Sequence, residues 1–300
     1  MPQSTHTTVI PFSVATLGIA TFASMDALMK GLSIEMGAYN ALLWRTSIAL
    51  PMTAGLFLWK RKRWSNASAI KLHVLRGVLT AVMAFLFFWG LVYVPLAEAI
   101  GLSFIAPLIA LYLAAALLHE QVGKKAILAS LIGLAGALVI IGGKMGNDYS
   151  DKVEIGIVAI LISALLYAYN LILQRQQALI AEPIEIAFFQ NSTVIAVYLV
   201  FAPFLAITPP VGQLPSLFVA AILGIISLLM LSWAYARAEA KILIPVEYTA
   251  FIWAALLGWL LFAEKPTVTT LLGTALIVAG CLVAARQQPT HIDHVEATVV

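Results

Sequence analysis

The sequence predicts an all-α membrane protein of ten transmembrane helices arranged as two inverted five-helix repeats. Three observations lead there. Of 300 residues, 62% are hydrophobic and only 10% are charged, whereas a water-soluble domain carries about 25% charged residues; the mean hydropathy is +0.99. Too little polar material exists to cover a globular surface, so lipid is the solvent for most of it. Ten runs reach the ~20 apolar residues that a bilayer-spanning helix needs. Finally, residues recur at a fixed offset of 144, as in Glu120 and Glu264 or Trp89 and Trp233. Membrane β-barrels alternate apolar and polar residues along short strands, and these runs do not alternate.

The spans follow in order. Residues 1–8 form an N-terminal tail without Lys or Arg, so the first run, 9–29, reads as a retained helix and not as a cleaved leader. The second, third, fourth and fifth are expected at 38–59, 71–91, 95–118 and 126–142. A linker, 143–154, leads to the sixth to tenth at 155–173, 186–206, 215–235, 242–262 and 267–285, and residues 286–300 form a C-terminal tail. One cysteine, Cys281, rules out an intramolecular disulfide.

Basic residues resist translocation and collect in cytoplasmic loops. With the N-terminus inside, twelve of the 17 Lys and Arg fall in inner loops, among them Lys60 to Arg63 and also Arg76. Lys30, Lys144, Lys152 and Lys265 fall outside, and Arg45 lies within a span. Both termini are therefore expected in the cytoplasm of a multi-pass inner-membrane protein. The net charge of +3 is spread over short loops, which argues against nucleic acid as a partner.

The repeat extends through both halves. Ala106 pairs with Ala250, Ala110 with Ala254, Leu113 with Leu257 and Gly136 with Gly280. In the first helix of each half, Ala20 pairs with Ala164, Asp26 with Asn170 and Lys30 with Gln174. Five spans per half is an odd number, so the copies sit upside down relative to each other, a recurring construction of secondary transporters with substrate held near the midplane. The run "PLIALYLAAALLHE" with "LIGLAG", answered by "AALLGWLLFAE" with "LIVAG", resembles the EamA repeat of the drug/metabolite transporter superfamily. That resemblance covers residues 9–285 and implies a polytopic exporter of small metabolites, with amino-acid exporters of the YddG type as a close comparison. The second copy departs from the first in having Phe251 where Pro107 stands, with Pro245 earlier.

Polar residues inside a membrane are costly and invite a functional reading. Ser163, Tyr167, Asn170 and Gln174 lie at i, i+4, i+7 and i+11, on one helix face; the stripe either lines an aqueous cavity or bonds helices together. Tyr169 flanks it. Asp26 and Lys30 share a face of the first span and form either an i,i+4 ion pair or a gating and coupling site. Arg45 pairs with Asp26 or binds a substrate carboxylate. Glu98 and Glu247 sit near the starts of their spans, where the helix dipole favours an acid; Glu247, with Tyr248, is also a candidate for the pathway. Trp253 and Phe104 are deep enough to shape an apolar pocket. Pro107 and Pro245 are candidate bends. Glu120 and Glu264 organise turns, and Gly133, Gly136, Gly273 and Gly280 serve close helix packing or a dimer surface.

Enzyme motifs are missing: "HEQVG" lacks the second His of H-E-x-x-H, and "GGKMG" has Met145 where a P-loop needs Ser or Thr. No cofactor or metal is expected. Transport without an ATP site runs down a gradient or couples to ions. Arg45 is the one basic residue expected inside a span, which argues against phosphorylated substrates. The expectation is export of small metabolites, best amino acids with aromatic or methionine-like side chains, by alternating access of the two halves. A cationic-drug exporter is the alternative, then a channel. The expected partners are a small-molecule substrate and lipid, with monomer or homodimer left open.

Overall fold

A computed structural model of the chain describes residues 6–60, 67–106, 108–110, 113, 124–143, 151–237, 246 and 248–285. Among these residues there are ten α-helices and no strand. The first five are α1 (His6–Met36), α2 (Ala38–Lys60), α3 (Ala67–Leu91), α4 (Leu96–Ser103) and α5 (Lys124–Gly142). The second five are α6 (Asp151–Ile180), α7 (Pro183–Leu205), α8 (Leu214–Tyr235), α9 (Thr249–Phe262) and α10 (Val268–Ala285). The side of the bundle at which α1 begins is termed proximal below, and the other side distal.

Among the described residues, six stretches are long and apolar enough to cross a membrane, and they are the first three of each set: α1, α2, α3, α6, α7, and α8 with the turn before it. The shorter apolar helices are the last two of each set. Packing follows the same symmetry. α1 lies along α8, and its image α6 lies along α3; α2 packs on α7, α4 on α9 and α5 on α10. Exchanging the two halves leaves this list of partners unchanged, which is the signature of an inverted repeat.

Two helices exceed the expected spans. α1 has 31 residues and α6 has 30, about 45 Å each at 1.5 Å per residue, against a hydrocarbon core of ~30 Å. The expected boundaries, 29 and 173, stopped where Lys30 and Gln174 interrupt the apolar run. Both of those side chains are satisfied inside the protein, so the helices continue.

The fourth span of each half is broken at equivalent residues. Phe104 ends α4 in a turn, its N–H shared between Ile100 O at 3.2 Å and Gly101 O at 3.3 Å. Tyr248, 144 residues on, is the turn from which α9 starts. Their rings pack edge to face, centroids 5.2 Å apart at 87°. Pro107 and Pro245 both lie outside the described residues, yet the breaks fall three residues before one and three residues after the other. Prolines at non-equivalent positions in the sequence thus stand within three residues of equivalent turns.

Two glycine positions fix the frame. Gly136 and Gly273 bring α5 and α10 into backbone contact: a Cβ on either would lie 2.5 Å from the carbonyl oxygen of the other. Those glycines therefore meet within one chain. Gly37, at φ 81°, is the single residue between α1 and α2; its N–H reaches Ser33 O at 3.0 Å and its carbonyl takes the Ala41 N–H at 3.0 Å. A Gly136→Val substitution is expected to cost about 1–3 kcal/mol through overpacking against backbone, read as a lower melting temperature in detergent. Gly55→Ala, where an added Cβ meets nothing within 4 Å, is expected to leave that temperature unchanged or raise it slightly.

Candidate functional site: a cavity between the halves

Four helix faces and the start of α9 enclose a cavity of about 160 Å³. α1 supplies Ile19, Phe22, Ala23 and Asp26, α3 supplies Met83, Ala84, Phe87 and Phe88, and α4 supplies Ile100, Ser103 and Phe104. α6 adds Ser163, Ala164 and Tyr167, and α9 adds Ala250. Each set repeats at three or four residues, the spacing of a single helix face. The walls are aromatic and apolar, and the bend at Phe104 opens the fourth span at cavity depth.

The polar atoms on the walls are mostly acceptors. Ser163 Oγ donates to Met83 O at 2.8 Å and Ser103 Oγ to Ala99 O at 2.8 Å. Each hydroxyl has spent its one proton and keeps lone pairs for a donor. Asp26 is 2% exposed, and its Oδ1 has no hydrogen-bond partner. Arg45 on α2 acts on Asp26 through space, but its guanidinium meets the Met25 sulfur, 3.4 Å from Nη1.

A second cluster closes the bundle distal to the cavity. Lys30, 3% exposed, forms an ion pair with Glu264 and donates to Val94 O at 2.9 Å. Glu264 also accepts the Leu96 N–H at 2.8 Å. Ala263 before it takes a left-handed φ of 55°, which costs a non-glycine residue about 1–2 kcal/mol. That turn is stabilised by Ala263 N to Trp259 O at 3.1 Å and Glu264 N to Gly258 O at 3.0 Å. Nearby, Thr270 Oγ1 donates to Glu98 Oε1 at 3.2 Å.

A third cluster ties α3, α6 and α7 on the proximal side. Arg76, 3% exposed, donates to Asn170 Oδ1 at 3.0 Å, Gln174 Oε1 at 3.3 Å and Gln177 Oε1 at 2.5 Å. A guanidinium only donates, so it turns the Gln177 oxygen toward itself and leaves the amide N–H₂ facing His73. His73 Nδ1 therefore accepts, 2.8 Å from Gln177 Nε2, and Nε2 donates to Glu185 Oε1 at 3.1 Å. The imidazole also stacks on Phe189, centroids 4.7 Å apart.

These placements sort the sequence-based candidates. Asp26, Phe104, Ser163 and Tyr167 line the cavity. Asn170 does not: it holds Arg76, so the polar stripe of α6 divides, its distal half facing the cavity and its proximal half bonding helices. Tyr169 is half-buried off the cavity, Tyr248 packs on Phe104, and Trp253 packs with Ala15, Ile19 and Ala234. Glu98 is engaged by Thr270. Pro107, Pro245, Glu247 and Glu120 lie outside the described residues. Lys30 pairs with Glu264 and not with Asp26, a partner 234 positions away that spacing along one helix cannot reveal. Arg76 is buried in α3 and is not a loop residue, so Arg45 is joined inside the bundle by Lys30 and Arg76.

Sequence reasoning missed Phe22, Phe87, Phe88 and Ser103. Phe22 stands four residues before Asp26, and Ser103 aligns with Glu247 through the repeat; both signals were available. Phe87 and Phe88 carried none beyond being aromatic in an apolar helix.

Comparison with known proteins bears on the whole chain. A family model described as the EamA-like transporter family matches residues 10–142 and again 154–286. The pseudopaline exporter CntI of Pseudomonas aeruginosa is 27% identical over 280 residues, covering 91% of this chain and 95% of that protein. The riboflavin transporter of Brucella anthropi is 27% identical over 252 residues, covering 81% and 86%. The S-adenosylmethionine uptake transporter of Rickettsia felis is 22% identical over 266 residues, covering 89% of each. A crystal structure with a TM-score of 0.61 at 22% identity, covering 91% of this chain and 98% of that one, shares the fold.

Removing one acceptor from a buried charge costs about 1–3 kcal/mol. Asn170→Ala is therefore expected to lower thermal stability in detergent while leaving the half-saturation concentration of any substrate within twofold. A tenfold rise would return Asn170 to the binding site.

Proposed function

The chain belongs to the EamA-like transporter family, and we propose that it exports small amine-bearing metabolites, amino acids foremost, across the inner membrane by alternating access of its two halves. Its relatives are transporters of small metabolites. The proximal side, rich in Lys and Arg, is read as the cytoplasmic one, where both termini are expected.

One observation carries the substrate reading: the cavity offers acceptors to an incoming group that can only donate. Asp26 Oδ1 has no partner, and Ser103 and Ser163, on the walls of the same cavity, present spent hydroxyls. An ammonium group, three donors and no acceptor, matches that set. The walls of Phe22, Phe87, Phe88 and Phe104 suit an aromatic or thioether side chain. A volume of about 160 Å³ lies below the ~300–1,000 Å³ of drug-sized pockets, which favours a single amino acid. Export is the direction proposed, as in the pseudopaline exporter, although the S-adenosylmethionine transporter of Rickettsia felis works in uptake. Monocationic compounds are the second reading, favoured by aromatic faces around one carboxyl.

Counterflow in liposomes decides between them. Vesicles preloaded with unlabelled phenylalanine or methionine are expected to accumulate the labelled amino acid saturably, and Asp26→Asn to reduce that at least tenfold. Exchange of monocations with none of amino acids would install the second reading. Flux that never saturates would mean a channel, and no flux of either class would overturn amine transport.

A further inference from the structure

Asp26 and Lys30 stand four residues apart on α1, neighbours on one helix face. Side chains on a helix lean toward its N-terminus, so the stem of Lys30 leads back over Asp26. The structure nevertheless gives the two different surroundings. Lys30 is held forward by Glu264 and Val94 O, with the Glu98 carboxylate also acting on it. Asp26 lines the cavity with Oδ1 unpartnered. On the amine-transport reading above, that oxygen is where the substrate's ammonium group docks.

The distal side opens only if the α9–α10 turn, which carries Glu264, parts from α1, which carries Lys30. Parting strands a buried ammonium, and an uncompensated buried charge is strongly unfavourable. Glu264 keeps a partner in the Leu96 N–H, and the strained turn at Ala263 is the kind of backbone that persists only while its surroundings hold it. Lys30 then keeps the Val94 carbonyl, a neutral acceptor that leaves its charge uncompensated; Glu98 is engaged by Thr270, and the carboxyl oxygen without a partner is that of Asp26, one turn behind.

We infer that Lys30 is a tethered competitor for the substrate's ammonium group, swinging from Glu264 to Asp26 when the distal side opens and so expelling the amine there. With the distal side closed, Lys30 is occupied by Glu264 and substrate reaches Asp26 uncontested. After release, the Lys30–Asp26 pair matches the carboxyl during the return of the empty carrier. Exchange of one substrate molecule for another does not require that return; net efflux does.

The experiment separates the two flux modes in liposomes. Glu264→Gln frees Lys30 to sit on Asp26, and the half-saturation concentration for phenylalanine exchange is expected to rise at least tenfold. Lys30→Met combined with Glu264→Gln, which leaves neither partner uncompensated, is expected to return half-saturation to within threefold of the parent and to keep the exchange rate. The same double variant is expected to lose at least tenfold in net efflux into substrate-free buffer. An unchanged half-saturation in Glu264→Gln, or equal loss of exchange and net efflux in the double variant, would overturn the swing while leaving amine transport standing. A parent protein that exchanges no amine would overturn both, since the lysine would then have nothing to displace.

Discussion

Hydrocarbon offers no hydrogen bonds, so every polar group carried into it must be matched by the protein itself. In this chain that matching decides which helices touch. Lys30 draws together α1, the turn before α4 and the end of α9 through Val94 and Glu264. Arg76 draws together α3 and α6 through three amide oxygens, and His73 extends the contact to α7 through Glu185. The cavity lies between these clusters, at the level where the matching is left incomplete on Asp26. Among the described residues, Asp26 Oδ1 is the carboxyl oxygen that stands with a few hydroxyl and amide oxygens as a buried atom without a partner.

The inverted repeat supplies two near-equivalent packings, but its two ends are closed by different chemistry. At the distal end a lysine meets a carboxylate. At the proximal end the position of Lys30 is taken by Gln174 and that of Asp26 by Asn170, and both serve a guanidinium from another helix. An ion pair and a fan of amide bonds respond differently to water entering from their own side. The two halves are therefore related by symmetry without closing their ends by equal interactions, and a ligand shifts a balance between two states only by what it binds differently in each.

The architecture was legible because it is written in long-range regularities: composition, run length, the 144-residue offset and the distribution of Lys and Arg. The site was legible in part. Asp26, Ser163 and Tyr167 announced themselves as polar residues on helix faces, and Phe104 as a deep aromatic. What failed were statements about partners. Lys30 could choose between Asp26, four residues back, and Glu264 in the other half, and a preference of that kind depends on how two distant turns dock. Arg76 was hidden by being counted with the inner-loop residues: Lys71 is exposed, but Arg76, five residues on, is buried. The stripe of α6 held both of its possible roles, because i+7 on a helix keeps a face but crosses about 10 Å of depth at 1.5 Å per residue, enough for Asn170 to leave the cavity and enter a different cluster.

The single-residue junction at Gly37 has a mechanical meaning. Two helices of 31 and 23 residues joined with no slack behave as one lever bent at its tip, so α1 cannot tilt without dragging α2. The far arm is itself fastened: Tyr39 donates to Tyr198 O at 2.6 Å, and Tyr198 to Ala81 O at 2.8 Å, which links α2 to α7 and α3. Any tilt of α1 is therefore shared by α2, α7 and α3, helices of both halves, and a shift of one helix becomes a shift of a whole wall.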